Sequence, residues 1–162
     1  MPTTRSLDPS QTAQPAPPYV YSEQIGHLLR RTYQQHVALF QHLIPDDQLT
    51  LAQFAVLCAL FDYGPSSLTD IVARTAVDQA TARGVLKRLK TRKLLTVQPD
   101  INDRRKTAIS LTPAGEELVQ TTIPYAQIVS EETFGILNPG ERIALTFLLK
   151  KVLTNGKTES FW

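Results

Sequence analysis

Among 162 residues there is one cysteine, one methionine, one tryptophan and three histidines. The lone cysteine, Cys58, has no second thiol to pair with, which fits a reducing compartment. No run of 18 apolar residues occurs, so no membrane span is expected. The N-terminus shows no basic stretch leading into an apolar core, so no secretory signal is expected and the chain reads as cytoplasmic. His27, His36 and His42 lie nine and six residues apart, not at the i, i+4 spacing of two ligands on one helical face, so no metal is expected. There is no phosphate-binding loop, nucleophile elbow or clustered carboxylate pair. No catalytic residue is therefore assigned, no cofactor is implied, and an enzyme is the class least supported.

What is present is positive charge in one place. Residues 74–106 carry ten Lys/Arg against three acids, Asp78, Asp100 and Asp103. That stretch stands at +7 in a chain of net charge +2, leaving −5 for the remainder. Clustered cations that can displace counterions from a phosphate backbone are the footprint of a nucleic-acid element. A solvated charged helix is the plainer reading, and the flanking architecture argues against it. Double-stranded DNA is the expected partner, with a nucleoid-associated location.

Residues 1–18 hold five of the eleven prolines and show no apolar period, so a disordered or extended arm is expected. Ile25, Leu28, Leu29, His36, Leu39, Phe40 and Leu43 then recur at helical spacing, predicting a helix over about 19–44 that stops before Pro45. Thr50 and Gln53 form a capping box that opens a second helix, closed by Gly64-Pro65. Ser67 caps a short third helix, and Asp78 caps a basic fourth over about 79–92 with Val85, Leu86 and Leu89 inward. Two β-branched or aliphatic segments, 94–97 and 107–111, flank a polar turn and predict a hairpin. Thr112-Pro113 starts a helix to about Leu137, and Asn138-Pro139-Gly140-Glu141 starts the last. The fold is thus expected to be mainly α with a small β-hairpin wing, in the order α-α-α-α-β-β-α-α. It is a winged helix-turn-helix whose outer helices need a further surface to pack on.

These residues resemble the MarR family of transcriptional regulators over about residues 20–154. The matching segments are Leu49 to Leu57, Asp78-Gln79-Ala80-Thr81, Leu86 to Leu95, and above all Asp103-Arg104-Arg105 followed by Leu111-Thr112-Pro113-Ala114-Gly115. The resemblance implies a homodimer built from a helical dimerisation region, residues 19–48 and 113–154. It projects a winged DNA-binding module, residues 49–112, with 155–162 as a flexible tail. Two-fold symmetry implies a pseudo-palindromic site with half-sites about 10 base pairs apart.

The resemblance also assigns roles. Gln79, Thr81, Arg83 and Lys87 are expected to reach bases or flanking phosphates, Arg83 pairing with guanine and Gln79 with adenine at about 1–3 kcal/mol of discrimination each. Arg105 is expected in the minor groove, with Asp103 holding the wing turn and Arg104 and Lys106 on phosphates. Arg88 joins the DNA-binding set, with a structural role as its alternative. Two departures from the family pattern stand out. Arg83 is followed by Gly84, a mid-helix glycine costing about 1 kcal/mol against alanine. Lys93 replaces a usual glycine at the helix end, where it must adopt a left-handed conformation unless the helix ends differently.

Members of the family often bind a small aromatic acid that releases DNA, and the pattern after Thr81 resembles repressors of heteroaromatic acid catabolism such as nicotinate degradation. Candidate effector residues are His36, a polar group on an apolar stripe, with Arg30 and Arg31 as carboxylate clamps and Phe40, Phe54, Leu57 and Phe61 as walls. For each, a place in the core, on the surface or at an interface is the alternative. A redox switch at Cys58 and a sequence-non-specific architectural DNA binder are the competing functional readings.

Overall fold

The computed structural model describes residues 18–99 and 107–155. Helix α1 spans Ile25–Leu43 and ends where Pro45 drives Ile44 into an extended conformation (φ −76°, ψ 129°). It begins later than position 19. A separate 3-10 turn, Tyr21–Glu23, precedes it, and extended Gln24 (ψ 139°) separates the two.

Helix α2 (Leu51–Tyr63) opens with the reciprocal bonds foreseen at Thr50: Gln53 N donates to Thr50 Oγ1 at 3.2 Å and Thr50 N to Gln53 Oε1 at 3.0 Å. Ser67 and Asp70 repeat the box at α3 (Leu68–Thr75). Left-handed Ala76 (φ 53°) turns the chain into α4 (Gln79–Thr91), whose Thr81 N donates to Asp78 Oδ1 at 2.9 Å. Lys93 is indeed left-handed (φ 59°). Leu94 N reaches Leu89 O and Lys93 N reaches Lys90 O, the Schellman pair that satisfies the last carbonyls.

Strands β1 (Leu95–Pro99) and β2 (Thr107–Leu111) pair antiparallel, with Val97 opposite Ile109. Ser66 adds a short third edge through mutual bonds of 3.0 and 2.9 Å with Ile109, fixing the wing root to the α2–α3 turn. Helix α5 (Pro113–Phe134) follows. Its start is tied to the α4–β1 junction, because Thr112 N donates to Leu94 O and Thr112 Oγ1 to Lys93 O. It ends three residues before Leu137, since Gly135 takes a positive φ of 55°. Asn138 and Glu141 then exchange capping bonds of 3.0 and 2.8 Å to open α6 (Pro139–Asn155).

The core gathers Phe40, Leu49, Val56, Leu57, Ile71, Val85, Leu89, Leu95, Val119 and Val129 from both sides of the winged module. Only the C-terminal half of α1 contributes to it. Ile25, Leu28 and Leu29, expected on the buried stripe, are exposed in the single chain, and so are Ile143, Phe147, Leu148, Leu149, Val152 and Leu153 of α6. No helix among the described residues is long and apolar enough to cross a membrane.

Candidate nucleic-acid interface and effector site

The fold turns the two faces of α4 to different uses. Ala82, Val85 and Leu89 are buried against α2 and α3, which leaves Gln79, Thr81, Arg83, Lys87, Arg88 and Lys90 exposed. Asp78 holds the first turn. Hydrogen bonds from Thr81, side chain first and then backbone, hold its carboxyl below the usual range, so the cap is ionised at neutral pH.

Not every cation of the basic stretch is available outward. Arg74 lies 4.3 Å over the Tyr63 ring and donates to Ser66 Oγ at 2.7 Å, bracing the α2–α3 turn. Arg92 is ion-paired with Asp46 of the α1–α2 connection, tying the C-terminal end of α4 to α1. Charge counting places both in the cationic run, and the fold makes both structural. Asp103, Arg104, Arg105 and Lys106 lie outside the described residues.

The expected effector residues do not all converge. Phe40 and Phe54 meet ring to ring at 5.5 Å and Leu57 is fully buried, so these three sit in the core of the single chain. Phe61, 38% exposed, stands at its edge. Arg30 and Arg31 are exposed, and at 100° per residue they lie about 120° and 140° around α1 from His36. Arg31 lines a shallow depression with Leu28, Thr32, Gln34 and Gln35.

His36 is bonded within the protein. Its Nδ1 lies 2.8 Å from Thr133 Oγ1 of α5, and Thr133 Oγ1 lies 2.6 Å from Val129 O. A hydroxyl has one hydrogen, and the Val129 carbonyl can only accept, so Thr133 donates to Val129 and accepts from Nδ1–H. Burial lowers the pKa of His36, so the ring is neutral at neutral pH and Nε2 carries a lone pair. Thr133 is the residue that sequence reasoning missed; it is 97 positions from its partner, and no local pattern signals it.

Cys58 is half-buried, and burial together with nearby Asp62 pushes its thiol up to about 11. A thiol so held is protonated at neutral pH and lacks the nucleophilic form that redox sensing requires. Alkylation with iodoacetamide is therefore expected to be slow in the native protein. Partial modification should leave DNA affinity unchanged in a fluorescence-anisotropy titration.

The sequence pattern of the MarR family matches residues 49–107, from just before α2 to the start of β2. The HTH-type transcriptional repressor NicR of Pseudomonas putida is 47% identical over 95% of this chain and 98% of its own length. The chain belongs to the MarR family. It is a DNA-binding transcriptional regulator, not an enzyme. Among solved MarR-type structures, Bordetella bronchiseptica BpsR, whose DNA binding is regulated by 6-hydroxynicotinic acid, is 56% identical. It covers 85% of this chain and 99% of its own, with a TM-score of 0.80. A mutant Escherichia coli MarR complexed with operator DNA matches at 26% identity and TM-score 0.75, over 84% of this chain and 99% of that one.

Proposed function

We propose that this MarR-family protein is a homodimeric, cytoplasmic and nucleoid-associated repressor. It binds a pseudo-palindromic operator and is released by a heteroaromatic acid of the nicotinate type. Gln79, Thr81, Arg83 and Lys87 read or flank the bases, Arg88 supports them, and Arg104, Arg105 and Lys106 engage the adjacent backbone and minor groove around the turn held by Asp103. The dimerisation region is 19–48 with 113–154, and the winged module is 49–112. The single observation that carries the DNA reading is the two-faced α4, apolar where it meets the module and cationic where it faces out.

The dimer is supported by the apolar faces of α6 and the N-terminal half of α1, which stay largely exposed in the single chain. The effector class is supported by the 56% identity to BpsR, a protein regulated by 6-hydroxynicotinic acid. His36 Nε2 offers such an acid an acceptor and Phe61 an apolar wall. Phe40, Phe54 and Leu57 back the site only from the core, and Arg30 and Arg31, on another face of α1, supply a guanidinium only to an acid held outside the single chain. The acid lowers operator affinity only if it binds the DNA-incompetent dimer more tightly.

Selection from a random duplex library at about physiological salt tests the reading. One palindromic consensus should emerge, and 6-hydroxynicotinic acid at saturation should release the protein from it. Featureless selected DNA would instead mean an architectural binder. A consensus that the acid does not release would remove the effector while keeping the regulator.

A further inference from the structure

Glycines in this chain are required for different reasons. Gly64 and Gly135 take positive φ angles of 73° and 55°, and a Cβ at Gly115 would sit 2.1 Å from Leu94 O. Gly84 meets neither condition. It lies in the middle of α4 with no positive φ, and a Cβ built on it would meet only Arg88 Nη1, at 3.9 Å, an ordinary contact. Glycine is nevertheless the poorest helix former after proline. The fold alone would favour alanine.

Position explains the preference. Taking 100° per residue, Gly84 lies about 130° from the centre of the face formed by Ala82, Val85 and Leu89. It therefore sits on the outward side of the helix, half-buried, between Arg83 and Lys87 on one side and Arg88 on the other. The Arg88 guanidinium comes within 3.9 Å of where a Cβ would stand, so the helix there presents partly exposed backbone beside a cation.

We infer that Gly84 is a specificity-determining residue of the DNA site: its missing side chain sets how deeply α4 enters the major groove. This rests on α4 being the reading helix. A methyl group at this point would stand between the helix backbone and the base edges, lifting Arg83 and Arg88 away from short, directional contacts. Phosphate attraction acts over about a Debye length of 8 Å, so non-specific binding would barely respond.

Three proteins separate the possibilities: wild type, Gly84→Ala and Arg83→Ala. Each is titrated against the consensus duplex selected by the wild type and against a scrambled duplex of equal length at matched salt. Gly84→Ala is expected to raise Tm by about 2–4 °C, to lose about tenfold or more in affinity for the consensus, and to keep its affinity for the scrambled duplex. Unchanged or improved consensus affinity in Gly84→Ala, with loss in Arg83→Ala, overturns the role of Gly84 and leaves α4 as the reading helix. Equal losses on both duplexes also overturn it. No loss in either variant removes α4 from the interface, and this inference with it.

Discussion

Aspartate in place of Phe147 is expected to split the protein into monomers and to weaken binding to the full operator by about 10²–10⁴-fold. Phe147 is 62% exposed in the single chain, as are most of its apolar neighbours on α6, and it contributes nothing to the core of the winged module. A carboxylate there leaves the subunit's own packing untouched. In a two-fold interface the same patch meets itself, so each substitution introduces two buried charges without partners. The affinity loss follows from valency. With two reading helices joined, the second half-site is bound intramolecularly; separated, each subunit binds its half-site alone. Sedimentation at micromolar concentration should show one subunit's mass, circular dichroism should be nearly unchanged, and affinity for an isolated half-site duplex should match the wild type. A variant that remains dimeric, or a monomer that holds the full operator as tightly as the wild type, would sink the proposed dimer.

Gly115→Ala is expected to cost about 3 kcal/mol and to lower Tm by about 6–12 °C. A Cβ at residue 115 would stand 2.1 Å from Leu94 O, 3.1 Å from Leu94 C and 3.2 Å from Leu111 Cδ2. Two of those three atoms are backbone and cannot rotate away. The same Leu94 carbonyl accepts from Thr112 N at 3.1 Å, so moving it also loosens the start of α5. Alanine's better helix propensity offsets only about 1 kcal/mol. Differential scanning calorimetry checks this, and a Tm change below about 2 °C would mean that the α4–β1 junction yields more easily than its geometry indicates. Gly84 is the opposite case: a Cβ at Gly115 collides with the protein's own backbone, whereas one at Gly84 has room beside Arg88.

Much of the architecture was legible because its signals are local. Thr50 with Gln53, Ser67, Asp78 and Thr112 each bond a backbone N–H three residues on, and such chemistry is visible in sequence wherever a polar residue precedes an apolar period. Boundaries were less legible. The first helix begins six residues after position 19 because Gln24 is extended, and α5 stops at Phe134 because Gly135 adopts a positive φ. Nothing in the apolar period marks either event. The outward set on α4 was readable from the spacing of Val85 and Leu89, since helical period alone decides which side chains face away.

The order of elements, their caps, the MarR resemblance and the placing of positive charge on one helix were all written in the sequence. Each depends on residues a few positions apart. Packing settled which charges stay free, because Arg74 and Arg92 find Tyr63, Ser66 and Asp46 only when the helices meet. It likewise fixed the hydrogen on His36 Nδ1 through Thr133, 97 residues away. It also separated a glycine that the backbone needs from one that it does not. Such contacts join distant segments, and their geometry exists only once the chain has closed around the core.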